Sequence, residues 1–268
     1  MVTTKTSARA PKKRNSKNST KTSDVPRKNP RKSESLLKPA KHKNREPKLF
    51  KGAALNAHAA EIETRLLAEY PTAHCELDYA TPLQLVVATI LSAQCTDKRV
   101  NMVTPALFAK YPTVDALAGA KIEDLEALVK STGFFRSKAK SILGMANLLV
   151  DTHGGEVPNT IEELVVLPGV GRKTANVVLG NAFGMNVGIV VDTHVARLSA
   201  RFGLTRETDP VKIEQALIPL FQQAGWTMLS HLMIWHGRRS CDARKPKCGE
   251  CVLRDICPSA ASPDTISA

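Results

Sequence analysis

Four cysteines near the C-terminal end constrain this chain more than any other feature. They run Cys241-x6-Cys248-x2-Cys251-x5-Cys257, four thiols within 17 residues. The N-terminus has no apolar run of the kind an export signal needs. The cluster therefore points to a metal site rather than a disulfide framework. Four thiolates suit a tetrahedral zinc or a [4Fe–4S] cluster, and the spacing leaves both open. Either would pin the segment between the first two cysteines, where Arg244, Lys245 and Lys247 crowd together. A metal-pinned basic loop presents rigid charge to phosphates. A structural clip with incidental charge is the plainer alternative. Cys75 and Cys95 stand apart.

Charge is distributed just as unevenly. Residues 1–48 hold 16 of the 38 Lys and Arg but only 3 of the 25 acids. The 22 basic residues beyond them are matched by 22 acids. The chain is thus a basic arm on a neutral body. The arm has almost no large apolar residue before Leu36, so burial cannot offset its chain entropy and disorder is expected. Such an arm raises affinity for polyanions and speeds association. It would also serve as a solubility or targeting tail. No apolar run approaches the ~18–20 residues that span a bilayer, so no membrane role is expected.

The body reads as helices throughout. Apolar spacing marks Leu55–Tyr70, which stops at Pro71. Thr81-Pro82 opens Leu83–Ser92 with an N-cap and a proline in the first turn. Lys121–Lys130 and Ser137–Val150 follow. Thr160 and Glu163 form a capping box for a short helix to Leu167. Arg172–Phe183 comes next, then a helix capped by Asp192 that runs to Arg201. Asp209-Pro210 opens Val211–Phe221, and Gly225–Gly237 is the last long helix. Val187–Val191 reads as a connector. The expected fold class is all-α.

Three polar features stand out in this frame. Gly169, Val170 and Gly171 fall in a tight turn between two helices, where backbone N–H groups and a helix N-terminus make an anion site that reads no base edge. A simple helix–helix turn is the alternative. Lys173 follows in the next helix's first turn. It would bind phosphate as a point charge or act as an amine nucleophile on a sugar C1′. The second role gains from a helix N-terminus and partial desolvation, which disfavour the ammonium. Asp192, after an apolar run, is either an ordinary N-cap or a carboxylate that supports positive charge on a reacting sugar.

Leu167-Pro-Gly-Val-Gly-Arg-Lys-Thr-Ala-Asn176, Val191-Asp-Thr-His194 and the four-cysteine array, in that order, closely resemble endonuclease III, a family of helix-hairpin-helix DNA glycosylases. Ser92-Ala-Gln-Cys-Thr-Asp97 resembles a segment near that family's lesion pocket. The resemblance covers about residues 51–258 and leaves out the arm. It implies two helical domains with a DNA-binding cleft between them. One is a six-helix domain with the hairpin, at 75–186. The other is an iron–sulfur domain built from 49–74 and 187–260, followed by a short tail at 261–268. It implies a [4Fe–4S] cluster on Cys241, Cys248, Cys251 and Cys257. Lys173 and Asp192 would be catalytic, excising oxidised pyrimidines such as thymine glycol and nicking 3′ to the abasic site.

The resemblance also implies DNA contacts from Gly169, Val170, Gly171, Arg172, His194, Arg244, Lys245 and Lys247. Gln94 would fill the gap left by the flipped base. Phe134 stands where the family often has a wedging Leu; a buried helix-end aromatic is the alternative. The implied partner is damaged double-stranded DNA, met by a monomer in the cytoplasm at the nucleoid, or in a nucleus or organelle if the source is eukaryotic. An adenine-mismatch glycosylase shares the hairpin and cluster but typically lacks the lysine. A non-catalytic hairpin module would need neither Lys173 nor Asp192.

Overall fold

Capping chemistry sets the helix boundaries in the computed structural model, which describes residues 49–260. The arm and the last eight residues lie outside the described residues, and with them the expectations of disorder and of a C-terminal tail. Helix α1 (Gly52–Glu69) begins one turn before the expected Leu55. Helix α2 (Pro82–Ser92) is capped by Thr81, whose hydroxyl accepts from the Gln84 N–H. Helices α3 (Asp97–Lys110) and α4 (Val114–Ala118) have no counterpart in the pattern read from the sequence. The first turn of α3 is charged and Pro105 lies inside it, so neither periodicity nor the breaker rule announces it. Thr96 and Thr113 cap the two helices nonetheless.

Helices α5 (Ile122–Val129) and α6 (Phe135–His153) are joined by a single 3-10 turn. The capping box yields only one turn, α7 (Ile161–Leu164), before the hairpin. Beyond it come α8 (Arg172–Ala182), α9 (Thr193–Arg201), α10 (Pro210–Leu217) and α11 (Trp226–Arg239). Pro219 turns the end of the expected Val211–Phe221 helix into a separate 3-10 turn. Gly237 does not end α11. A Cβ there would lie 2.8 Å from His194 Nδ1, so the glycine lets α9 and α11 meet. Among the described residues there is no strand, and the fold is all-α. No described helix is long and apolar enough to cross a membrane.

Two hydrophobic cores form within one compact unit. The first draws on residues from Leu77 to Leu179 and is surrounded by α2–α8. The second draws on α1, the Ile189–Val191 connector, α9–α11 and Leu253 of the cysteine segment. Polar ties cross between them. Arg238 of α11 pairs with Glu76 and with Asp97, the latter at 2.7 Å. Arg172 Nε of α8 lies 2.8 Å from the buried Glu214 of α10.

Candidate active site

The turn after α7 is anchored by its apolar residues. Leu167 and Val170 are buried in the first core, and the Val170 N–H bonds the Leu167 carbonyl at 3.0 Å. Val170 therefore offers a ligand only its backbone. Gly169 sits at φ +82°, and a Cβ there would meet Ser141 at 2.8 Å, so no other residue fits. Gly171 is different: a Cβ would meet nothing within 4 Å. It is the N-cap of α8 and makes no side-chain cap bond. Gly171, Arg172 and Lys173 are exposed at this helix start, where an anion is favourable.

Lys173 rides on that first turn and is exposed. The partial desolvation expected for it is therefore not a property of the free protein. Asp192 caps α9, with one carboxylate oxygen, Oδ1, accepting from the His194 and Val195 N–H groups at 2.8 Å each. Both bonds use Oδ1, which leaves Oδ2 unengaged. Lys173 and Asp192 line one cavity. Its walls come from both cores: α2 and α8 on one side, the start of α9 and α11 on the other.

Arg172 and His194, both expected at the DNA, have protein partners in the free chain. The Arg172 guanidinium donates to Glu214 at 2.8 and 3.2 Å, and Asn176 joins the same carboxylate at 3.0 Å. This arginine is paired with a buried acid and ties α8 to α10. His194 is half-buried against Gly237, and its Nδ1 accepts from Arg197 at 3.2 Å. It joins α9 to α11. Burial holds its imidazolium below the usual range.

Sequence reasoning missed the rest of the cavity. His231 Nε2 bonds Asn181 Oδ1 at 2.8 Å, while Asn181 Nδ2 donates to the Val177 carbonyl. That amide orientation makes His231 Nε2 the donor. Burial pushes the imidazolium from 6.5 down to about 4, and nearby His74 adds to the effect. The unfolded chain therefore binds this proton at a higher pH than the folded one. Stability is expected to fall as pH drops from about 6.5 to 4, by about 3 kcal/mol at most. Thermal melts of the native chain and His231→Gln at pH 7 and 5 check this. The native chain should lose more on acidification.

Gln94 and Phe134 are the only non-glycine described residues with positive φ, at 53° and 47°. Both line a second cavity, beside Gly169. Phe134 is 66% exposed, which excludes a buried helix-end aromatic.

The four clustered cysteines are half-buried and free of disulfides. Arg201 Nη1 donates to Cys241 Sγ at 3.1 Å, and the Leu253 N–H to Cys251 Sγ at 3.4 Å. Burial pushes the Cys257 thiol up to about 11 and raises that of Cys251, and the neighbouring thiols add to both. Close, buried sulfurs of this kind lose their protons to a cationic centre. Four half-buried free thiols that raise one another's proton affinity are a donor set that fits a thiolate-held iron–sulfur cluster. Arg201 and Arg197 also hold the Cys241 carbonyl, and Arg201 holds those of Asp242 and Ala243. Asp242 Oδ1 accepts from the Arg244 and Lys245 N–H groups, which holds its carboxyl below the usual range. Arg244, Lys245 and Lys247 are all exposed on this braced loop.

Residues 87–223 match the HhH-GPD superfamily of base excision DNA repair proteins. Residues 241–257 match the iron–sulfur binding domain of endonuclease III. The chain is 57% identical over 212 residues to endonuclease III of Synechocystis sp., covering 79% of this chain and 97% of that protein. It is 46% identical over 189 residues to that of Bacillus subtilis, covering 70% and 86%. A trapped endonuclease III–DNA covalent intermediate superposes with a TM-score of 0.73 at 40% identity, covering 76% of this chain and 96% of that one. The cofactor that goes with these matches is a [4Fe–4S] cluster. The chain belongs to the endonuclease III family of helix-hairpin-helix DNA glycosylases and abasic-site lyases.

Proposed function

We propose that this chain excises oxidised pyrimidines, thymine glycol among them, from duplex DNA and then nicks the strand 3′ to the abasic sugar. The observation that carries the reading is the shared cavity of Lys173 and Asp192. An amine nucleophile and a carboxylate on opposite walls are what glycosidic substitution at a sugar requires.

The damaged nucleotide leaves the stack and enters the cavity, which costs least for a poorly stacked base. The Lys173 amine attacks C1′. The bond from C1′ to the base breaks, and the base departs with that electron pair and gains a proton. Loss of an amine proton and opening of the C1′–O4′ bond give the imine. Removal of a C2′ proton then expels the 3′-phosphate by β-elimination, and water releases the lysine. Asp192 Oδ2 stabilises the cationic sugar and moves the protons, while Oδ1 stays tied to α9. Desolvation of Lys173 comes with the bound duplex.

The first N–H groups of α8, with those of Gly169 and Gly171, take one phosphate, while the Val170 N–H stays within the turn. Arg244, Lys245 and Lys247 take others, with Gln94 and Phe134 entering the stack. Cys241, Cys248, Cys251 and Cys257 would hold the cluster, whose contribution is to fix the basic loop. The two cores support a division into a hairpin domain at 75–186 and an iron–sulfur domain at 49–74 and 187–260. The bacterial relatives support action on the nucleoid in the cytoplasm.

The test is a panel of end-labelled duplexes: thymine glycol, an oxidised purine, adenine mispaired with guanine, and undamaged DNA. Nicking of the thymine glycol duplex alone is expected. Preferential cleavage at the mispaired adenine or the oxidised purine would replace the substrate class.

A further inference from the structure

Lys138 is buried, 5% exposed, in the first turns of α6. Two physical rules oppose a lysine there. A helix N-terminus repels a cation, and burial disfavours the ammonium and lowers its proton affinity. What holds it is a pair of backbone carbonyls, Leu91 and Thr132, each accepting from Nζ at 2.8 Å. Leu91 lies in the last turn of α2, whose carbonyls have no partner within the helix. Thr132 closes the 3-10 turn before Gly133.

Each carbonyl lies two or three residues before a strained tip. Leu91 precedes Gln94, and Thr132 precedes Phe134, the two non-glycine residues with positive φ. Both tips are exposed, and Lys138 lines the cavity between them. Cys95, half-buried beside Gln94, is close enough to affect the ammonium. One buried charge therefore ties together two loops that sequence keeps 40 residues apart.

We propose that Lys138 is a positioning residue: it fixes the span between Gln94 and Phe134 and thereby sets how the duplex is opened. The proposal rests on the reading that these two tips enter the base stack. A ruler of this kind tolerates no change of length, and its effect vanishes once the two tips are removed, whereas the cost of a lysine that only stabilised the fold would persist without them.

The experiment uses the full chain with its cluster and a duplex carrying 2-aminopurine beside a thymine glycol. Its fluorescence rises when the stack opens. Lys138→Met and Lys138→Arg are both expected to lose most of that rise. Their affinity for the damaged duplex should drop about tenfold or more, with affinity for undamaged duplex unchanged. Lys138→Arg keeps charge and donors, so it tests the proposal even if Lys138→Met fails to fold. In a Gln94→Ala/Phe134→Ala background, neither change at 138 should matter further. A native fluorescence response in Lys138→Arg, or a full additive loss in that background, overturns the proposal. If the Gln94→Ala/Phe134→Ala chain itself opens the duplex normally, the reading of the tips falls, and the proposal with it.

Discussion

Asp192→Asn is expected to cut excision of thymine glycol about a hundred- to ten-thousandfold while leaving the melting temperature nearly unchanged. The two effects separate because Asp192 has two tasks on two oxygens. Oδ1 accepts from the His194 and Val195 N–H groups, and an asparagine carbonyl caps a helix equally well. The negative charge at Oδ2 has no substitute in the amide. Asp192→Ala removes both and should cost about 1 kcal/mol of stability as well, a shift of about 2–4 °C in a chain of this size. Excision assays and thermal melts of the two variants side by side check this. Native rates in Asp192→Asn would reduce the residue to an ordinary cap.

The second large effect is expected at the cysteines. Cys251→Ser should lose the visible absorbance of the cluster, because a serine hydroxyl does not replace a thiolate there. Energy from such a site is folding energy, so the melting temperature should drop. Segment 241–257 is braced from the protein side by Arg201, by Arg197 and by buried Leu253. These contacts brace the start of the loop that carries Arg244, Lys245 and Lys247, and the cluster would fix its far end at Cys248 and Cys251. If those three contact phosphates, the slope of log affinity against log salt should flatten by about 2–3. Salt titrations of undamaged-duplex binding measure it. An unchanged slope would remove the loop from the DNA interface.

Where a side chain and a helix start coincide, the sequence was legible. Thr81, Thr160, Asp192 and Asp209 each cap the helix their type announces. Helix α3 was not legible, since Pro105 reads as a breaker and its first turn is charged. Lys173 and Asp192 were legible as residue types suited to glycosidic chemistry, and the two line one cavity. The ion pair of Arg172 was not legible, because its partner, Glu214, is 42 residues away in sequence. Gly188 hides a similar long-range demand, as a Cβ there would come within 2.6 Å of Asn176 Nδ2. Lys138 has no local signature at all: a lysine in a helix reads as surface until Leu91 and Thr132 are seen to converge on it.

The central claim is that Lys173 is the nucleophile. Borohydride trapping on a duplex with one abasic site tests it most directly, because reduction freezes an imine as a stable protein–DNA bond. The native chain should give one covalent band on a denaturing gel. Lys173→Gln should give none, with duplex affinity retained and the melting temperature unchanged. A band of native intensity from Lys173→Gln would place the nucleophile on another amine and contradict the account.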